Sequence, residues 1–171
     1  MTLREKLYSS GLAWLWITVV VMLIDRWSKM WVSTHLVLYE PLEILPVFNL
    51  TLAYNKGAAF NFLHSASGWQ NLFLGGLAVV VSAFILYWLF HASSRSRWMS
   101  IAMCLVLAGA LGNAWDRLLY AHVIDFFDFH LGTWHFAIFN VADSAICVGA
   151  AMLFLSWWRE AYSKKSIDKN K

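Results

Sequence analysis

The sequence predicts a mainly α-helical membrane protein with four transmembrane helices, both termini cytoplasmic and a small extracytoplasmic β-sheet. Three observations predict it. First, 60% of the residues are hydrophobic and 13% charged, with a mean hydropathy of +0.57, whereas a soluble domain is about half apolar and a quarter charged. Second, the apolar residues gather into long runs of the kind a bilayer demands. Third, Lys and Arg concentrate in alternate loops.

The first span, about 11–31, is apolar from Gly11 to Ile24 and continues into "DRWSKMW". At about 1.5 Å per helical residue it is long enough to cross about 30 Å of hydrocarbon. The preceding "MTLREK" is basic, yet the bulky "DRWSKMWVSTH" offers no small-x-small cleavage site, so an uncleaved anchor is expected. The second span, about 69–90, contains the uncharged run Leu72 to Phe90, and the third, about 97–115, the uncharged run Trp98 to Trp115. The fourth, about 137–158, carries a single charge, Asp143. Residues 32–68 and 116–136 become outer loops. With no internal repeat or low-complexity segment, residues 1–171 are expected to form one membrane domain, and a monomer is the default.

Orientation follows from the cations. Arg4 and Lys6 precede the first span, Arg95 and Arg97 lie in the "HASSRSRW" turn, and Arg159, Lys164, Lys165, Lys169 and Lys171 lie in the tail. The other two loops hold only Lys56 and Arg117. The net charge of +3 is thus a topology signal and calls for no nucleic acid. The eleven Trp residues agree: Trp14, Trp16, Trp88, Trp98, Trp157 and Trp158 fall near inner ends, and Trp27, Trp31, Trp69, Trp115 and Trp134 near outer ends. Cys104 and Cys147 lie within spans, outside any CxxC pattern, and are expected to be small buried hydrophobes.

Loop 32–68 is too long for a mere connector. Its "EILPVFNLTLAYNKGAAFNFL" contains short β-favouring runs around the turn-like "YNKG", and "HVIDFFDFHL" in the second loop is strand-like. A small sheet on the outer surface is expected. The tail beyond Trp158 is polar.

Asp25, Glu40, Glu43, Asp116, Asp125, Asp128 and Asp143 all fall at or beyond the outer ends of the spans. An Asp at a membrane helix centre costs about 2.5–3.5 kcal/mol, so each needs a reason. Several have a local one. Asn140 and Asp143 have the spacing of a helix N-cap and its third residue, where a carboxylate complements the helix dipole. Asp25 and Lys29 stand at i,i+4 in the favourable order for an ion pair. Asp125 could simply be solvated, and Asp116 and Arg117 could be an interfacial pair. Asn113 and Gly112 suit close helix packing, and Asn55 and Gly57 suit a turn.

The constellation says more than its parts. The third span ends with Asn113 and Arg117, Asp125 follows in the loop, and the fourth span begins with Asn140 and Asp143. A short loop that leaves and re-enters one membrane face brings its ends together, so Asp125 and Asp143 can meet near the outer surface. Two carboxyls in contact cannot both ionise easily and would share one proton. Such a dyad can activate a water for attack on an amide and protonate the leaving nitrogen, without metal, cofactor or covalent intermediate.

"GNAWDRLLYAHVIDF" and "FNVADSAI" resemble the two catalytic-region motifs of bacterial lipoprotein signal peptidase (signal peptidase II), an aspartyl intramembrane peptidase family. "DRWSK" and "YNKGAAF" resemble its two earlier motifs, in the same order and at the expected ends of spans. The resemblance covers nearly the whole chain. It implies that Asp125 and Asp143 are the catalytic pair, with Asp25, Lys29, Asn55, Gly57, Asn113, Arg117 and Asn140 as support around dyad and substrate. It implies a substrate too: a membrane-anchored prolipoprotein carrying a diacylglyceryl group on its lipobox cysteine, cut on the amino side of that cysteine. It further implies an outer sheet that cradles the substrate, an outer helix that covers it, membrane lipids as surroundings and a place in the bacterial inner membrane. Ala121 departs from the pattern, standing where the family usually has Gly.

Three other readings stay open at this point. A Mg²⁺-dependent transferase or hydrolase would use Asp116, Asp125 and Asp128 as ligands, with His122, His130 and His135 nearby; their spacing matches no Asp-rich metal motif. A proton-coupled transporter would use the buried aspartates, but the inner halves of the spans lack polar stepping stones and repeat symmetry. A structural partner protein would use Asp143 only as a cap and leaves the convergence of the other polar groups unexplained.

Overall fold

The computed structural model describes residues 9–57, 69–94 and 96–168. Its four long helices are α1 (Leu15–His35), α2 (Trp69–His91), α3 (Arg97–Tyr120) and α4 (Val141–Asp168), with a 3-10 turn, Gly11–Trp14, leading into α1. All four are long and apolar enough to cross a membrane. Large apolar side chains such as Leu72, Val79, Val80 and Phe154 stand exposed on their surfaces, while several buried positions are polar. That inversion is what lipid, rather than water, around the helices requires.

The helix ends differ from the expected ones for physical reasons. α3 runs past Trp115 to Tyr120 because Asp116, expected in a loop, is buried and ion-paired on the helix. α4 starts at Val141 rather than near residue 137, because Phe139 is held extended by backbone bonds to Phe126 and Phe127. α3 packs most tightly against α4, through small residues. A side chain on Gly109 would strike the Ala142 carbonyl and Ile146, and one on Gly149 would stand 2.7 Å from the Ala102 carbonyl oxygen. Ala142, Ala145 and Gly149 form the buried face of α4. Cys147 lies off that face and is exposed, correcting the expectation that both cysteines are buried; Cys104 is.

Four antiparallel strands form one sheet in the order β1 (Pro41–Leu45), β2 (Phe48–Asn55), β3 (Val123–Leu131) and β4 (Trp134–His135). Both strand-like stretches of the sequence are in it. Leu50 faces Phe127 and Ala53 faces Asp125, with a bulge between them. A cluster of Val32, Leu52, Ile124 and Phe126 fixes the sheet to the end of α1. The implied outer helix has no counterpart among the described residues; loop residues 58–68 lie outside them.

Beneath the sheet, α1 and α3 are joined by a buried ion cluster. The Lys29 ammonium, 0% exposed, lies 2.8 Å from Asp25 and 2.9 Å from Asp116. Arg26 completes the cluster at 2.8 Å from the other Asp116 oxygen. The carboxylates also hold backbone: Asp25 accepts the Ala142 N–H at 2.9 Å and Asp116 the Ile124 N–H at 3.3 Å. Asp116 therefore pairs with Arg26 and Lys29, not with its neighbour Arg117 as the sequence had allowed. Gly112 leaves space for Asp25, whose Oδ2 would be 2.9 Å from an added Cβ.

Two predictions follow from this packing. Lys29→Met leaves the buried Asp25 carboxylate without a cation, while Asp116 keeps Arg26, and is expected to destabilise the protein by about 3 kcal/mol, read as a lower Tm in detergent. Ala121 caps α3 in the left-handed region (φ 59°), the conformation that a side chain disfavours and that glycine adopts freely. Ala121→Gly is expected to stabilise by about 1 kcal/mol in the same assay; an unchanged or lower Tm would show that the turn is relaxed with alanine.

Candidate active site

Asp125 projects from β3 and Asp143 from the first turn of α4, and the side chain of Asn140 links them. The Asn140 Nδ2 donates to Asp125 Oδ1 at 2.7 Å, while its Oδ1 accepts the Asp143 N–H at 2.9 Å. Asp143 reciprocates by accepting the Asn140 N–H at 3.2 Å, completing a capping box. The cap proposed for Asp143 on local grounds is thus present, and the same residue is also wired to Asp125.

Each carboxyl has a second amide. Asn55 Nδ2 donates to Asp125 Oδ2 at 3.0 Å, and Asn113 Nδ2 donates to Asp143 Oδ1 at 2.7 Å. Local structure orients both. The Asn55 oxygen accepts the Gly57 N–H at 2.9 Å, which turns the Asn55 NH₂ toward Asp125. Gly57 sits at φ 98°, a conformation glycine alone adopts readily. The Asn113 oxygen accepts from Lys29 at 3.4 Å and from Asn140 Nδ2 at 3.3 Å, which turns its NH₂ toward Asp143. Asn55, Asn113 and Asn140 therefore hold the two carboxyls from β2, α3 and the start of α4.

Asp125 is 2% exposed. Burial, reinforced by the nearby Asp143 charge, pushes its carboxyl up to about 7, against the pull of Asn55, Asn140 and the more distant Lys29. The site can therefore hold a proton at neutral pH. The same burial suits chemistry in which charge is neutralised locally rather than by water.

Arg117 stands differently from expectation. Its Nη1 donates to the Asn113 carbonyl at 3.2 Å, and its buried Nε has no hydrogen-bond partner. It lies within electrostatic reach of Asp143 and Asp125 without bonding to either. Asp25 and Lys29 are one layer behind the carboxyl pair, acting on it through Ala142 and Asn113. Among the described residues no three His, Cys, Asp or Glu side chains are grouped as a metal site. Asp128 and His135 bond to each other at 2.8 Å, and the His122 ring lies tilted against Tyr54 with centroids 4.1 Å apart. Sequence reasoning missed Arg26 and the anchoring role of Asp116. Asp116 was findable, since it follows Gly109, Gly112 and Asn113 on one helical face; Arg26 carried no signal.

Known proteins match the chain over most of its length. The family model described as signal peptidase (SPase) II matches residues 17–159. A lipoprotein signal peptidase of Yersinia enterocolitica is 42% identical over 167 residues, covering 98% of this chain and 99% of that protein. One from Yersinia pestis is 41% identical over 168 residues with the same coverage. Among solved structures, a bacterial membrane enzyme determined by the in meso method at 2.3 Å superposes with a TM-score of 0.79 at 29% identity, covering 89% of this chain and 91% of that one. Another, at 1.9 Å, gives 0.75 at 29% identity, covering 85% and 92%. With the family match spanning most of its length and relatives this similar end to end, the chain belongs to the signal peptidase II family.

Proposed function

We propose that this protein is a multi-pass inner-membrane aspartyl endopeptidase that removes the signal peptide from diacylglyceryl-modified prolipoproteins, cutting on the amino side of the lipidated cysteine. The observation that carries the reading is the sharing of Asn140 by Asp125 and Asp143, each of which is held by a further amide donor. Three asparagines around two carboxyls fix position without supplying a competing charge.

In this mechanism the buried Asp125 holds the shared proton at rest. Asp143 takes a proton from a water lying between the carboxyls, and the hydroxide attacks the scissile carbonyl carbon as Asp125 protonates its oxygen. Asp125 recovers that proton as the tetrahedral intermediate collapses, and Asp143 passes its proton to the leaving nitrogen. Water is thus divided between the new carboxyl and the new amine, and no metal or cofactor enters. Arg117, near but unbonded, steadies the negative charge of the pair. The dyad faces the extracytoplasmic side, both termini are cytoplasmic, and the protein works as a monomer within membrane lipid. The positive-inside pattern and the sheet beside the carboxyls support this placement.

The test is cleavage of a purified diacylglyceryl prolipoprotein in detergent. Activity should persist in EDTA and fall by at least about 10³-fold in Asp125→Asn and in Asp143→Asn, each still folded. Loss of activity in EDTA would return the metal-dependent reading; full activity in either variant would leave that aspartate a structural role. The pH dependence has a definite sign. As pH rises through about 7 the Asp125 proton is lost, so kcat/KM should fall on the alkaline side with an apparent pKa near that value. Asn55→Ala removes a donor that favours the anion, and this alkaline limb should move to higher pH.

A further inference from the structure

β3 and β4 form a hairpin at the edge of the sheet, and the mechanism above leaves its polar pair unused. Asp128 is buried on β3, where an unpartnered carboxylate would be costly. It accepts from His135 Nδ1 at 2.8 Å and from Thr51 Oγ1 of β2 at 2.9 Å. The His135 side chain is 48% exposed, and its ring stacks on His130 at 5.1 Å. Burial raises the Asp128 carboxyl, but the bonds from His135 and Thr51 outweigh this and leave it below the ordinary carboxylate range. Asp128 is thus an anion that takes donors from both neighbouring strands.

The chain after His135 runs back along β3. The Phe136 N–H donates to Phe129 at 2.8 Å, and the Phe139 N–H to Phe127 at 3.1 Å. The Phe139 carbonyl accepts from both Phe126, at 3.0 Å, and Phe127, at 2.7 Å. The next residue is Asn140, the amide that joins Asp125 to Asp143. At the far end of the hairpin the return limb is tied to β3 by the Asp128–His135 bond, and at the near end it delivers Asn140.

We propose that Asp128 and His135 are positioning residues for the peptidase reaction: their bond pins the return limb 134–139 against β3 and so keeps the Asn140 amide on the Asp125 carboxyl. This rests on the peptidase reading above. His135 faces the titratable groups Asp128 and His130, both on β3; Asp128 also faces Thr51 and Asn49 of β2, which are uncharged. A bond that served only to hold the fold would change stability without changing how Asp125 titrates.

The experiment compares the parent with His135→Ala, His135→Gln, Asp128→Asn and the double variant His135→Ala/Asp128→Asn. Cleavage of the diacylglyceryl prolipoprotein is followed against pH, with thermal unfolding alongside. His135→Ala should lower kcat about fivefold with KM nearly unchanged. It should also move the alkaline limb of kcat/KM upward, because a slack Asn140 stabilises the Asp125 anion less. His135→Gln, whose amide can donate to Asp128, should stay within about twofold of the parent. The double variant should be no slower than the slower single one, as expected for partners in one bond. Because His135 is half exposed, its variants test the pair even if Asp128→Asn does not fold. An unmoved pH limb with unchanged kcat overturns the proposal, as does a change in KM alone, which would assign the pair to substrate contact. Parental cleavage with unmoved variants sinks this inference alone; no cleavage by the parent sinks the peptidase reading and this one with it.

Discussion

The fully buried ammonium of Lys29 organises the sheet-facing end of the molecule. It lies between the carboxylates of Asp25 and Asp116, and each of these carboxylates also holds a backbone N–H beside the candidate site. Asp25 fixes Ala142, one residue before Asp143. Asp116 fixes Ile124, one residue before Asp125. One cation thereby sets the separation of two chain segments that approach from different elements. A cluster of this kind contributes little net stability when complete, because desolvation offsets most of the attraction. Its consequence is geometric: the segments bearing Asp125 and Asp143 have few other places to go.

Around that anchor the polar groups are arranged in layers of decreasing charge. The ions form the inner layer, and the asparagine amides form the next. Asn113 contacts both, accepting from Lys29 through its oxygen and donating to Asp143 through its nitrogen. This polarity settles which end of the amide faces the carboxyl. Asn140 donates its side-chain amide to Asp125 and its backbone N–H to Asp143, and it is held from two sides, by the α4 cap and by the Phe139 backbone bonds to β3. In a setting with little water, such fully partnered amides orient a carboxyl pair that unpartnered ones would not. The raised Asp125 carboxyl follows from this environment, chiefly from burial, and requires no special contact of its own.

Much of this was legible in the sequence, for identifiable reasons. The spans are visible because lipid tolerates few charges, so each one appears as an uncharged run. The sheet is visible because "NLTLAYN" and "HVIDFFDFHL" have the β-branched and aromatic content of strands. The convergence of Asp125, Asn140 and Asp143 followed from a short loop returning to the same face. What failed were contacts that skip between distant elements. Asp116 was matched with adjacent Arg117, whereas the fold joins it to Arg26 and Lys29 on another helix. Asp128 was weighed only as a metal ligand, because nothing local reveals that Thr51 and His135 meet it. The exposure of Cys147 was equally hidden, since a uniformly apolar span does not show which face its neighbour covers.

The proposed chemistry requires the aspartate pair to keep one proton at neutral pH. The most direct measurement is infrared difference titration of the resting protein in detergent, comparing the parent with Asp125→Asn. The expected result is a protonated-carboxyl band in the parent that titrates near pH 7 and is absent from the variant. A parent with no such band, or one whose band survives unchanged in Asp125→Asn, would contradict it.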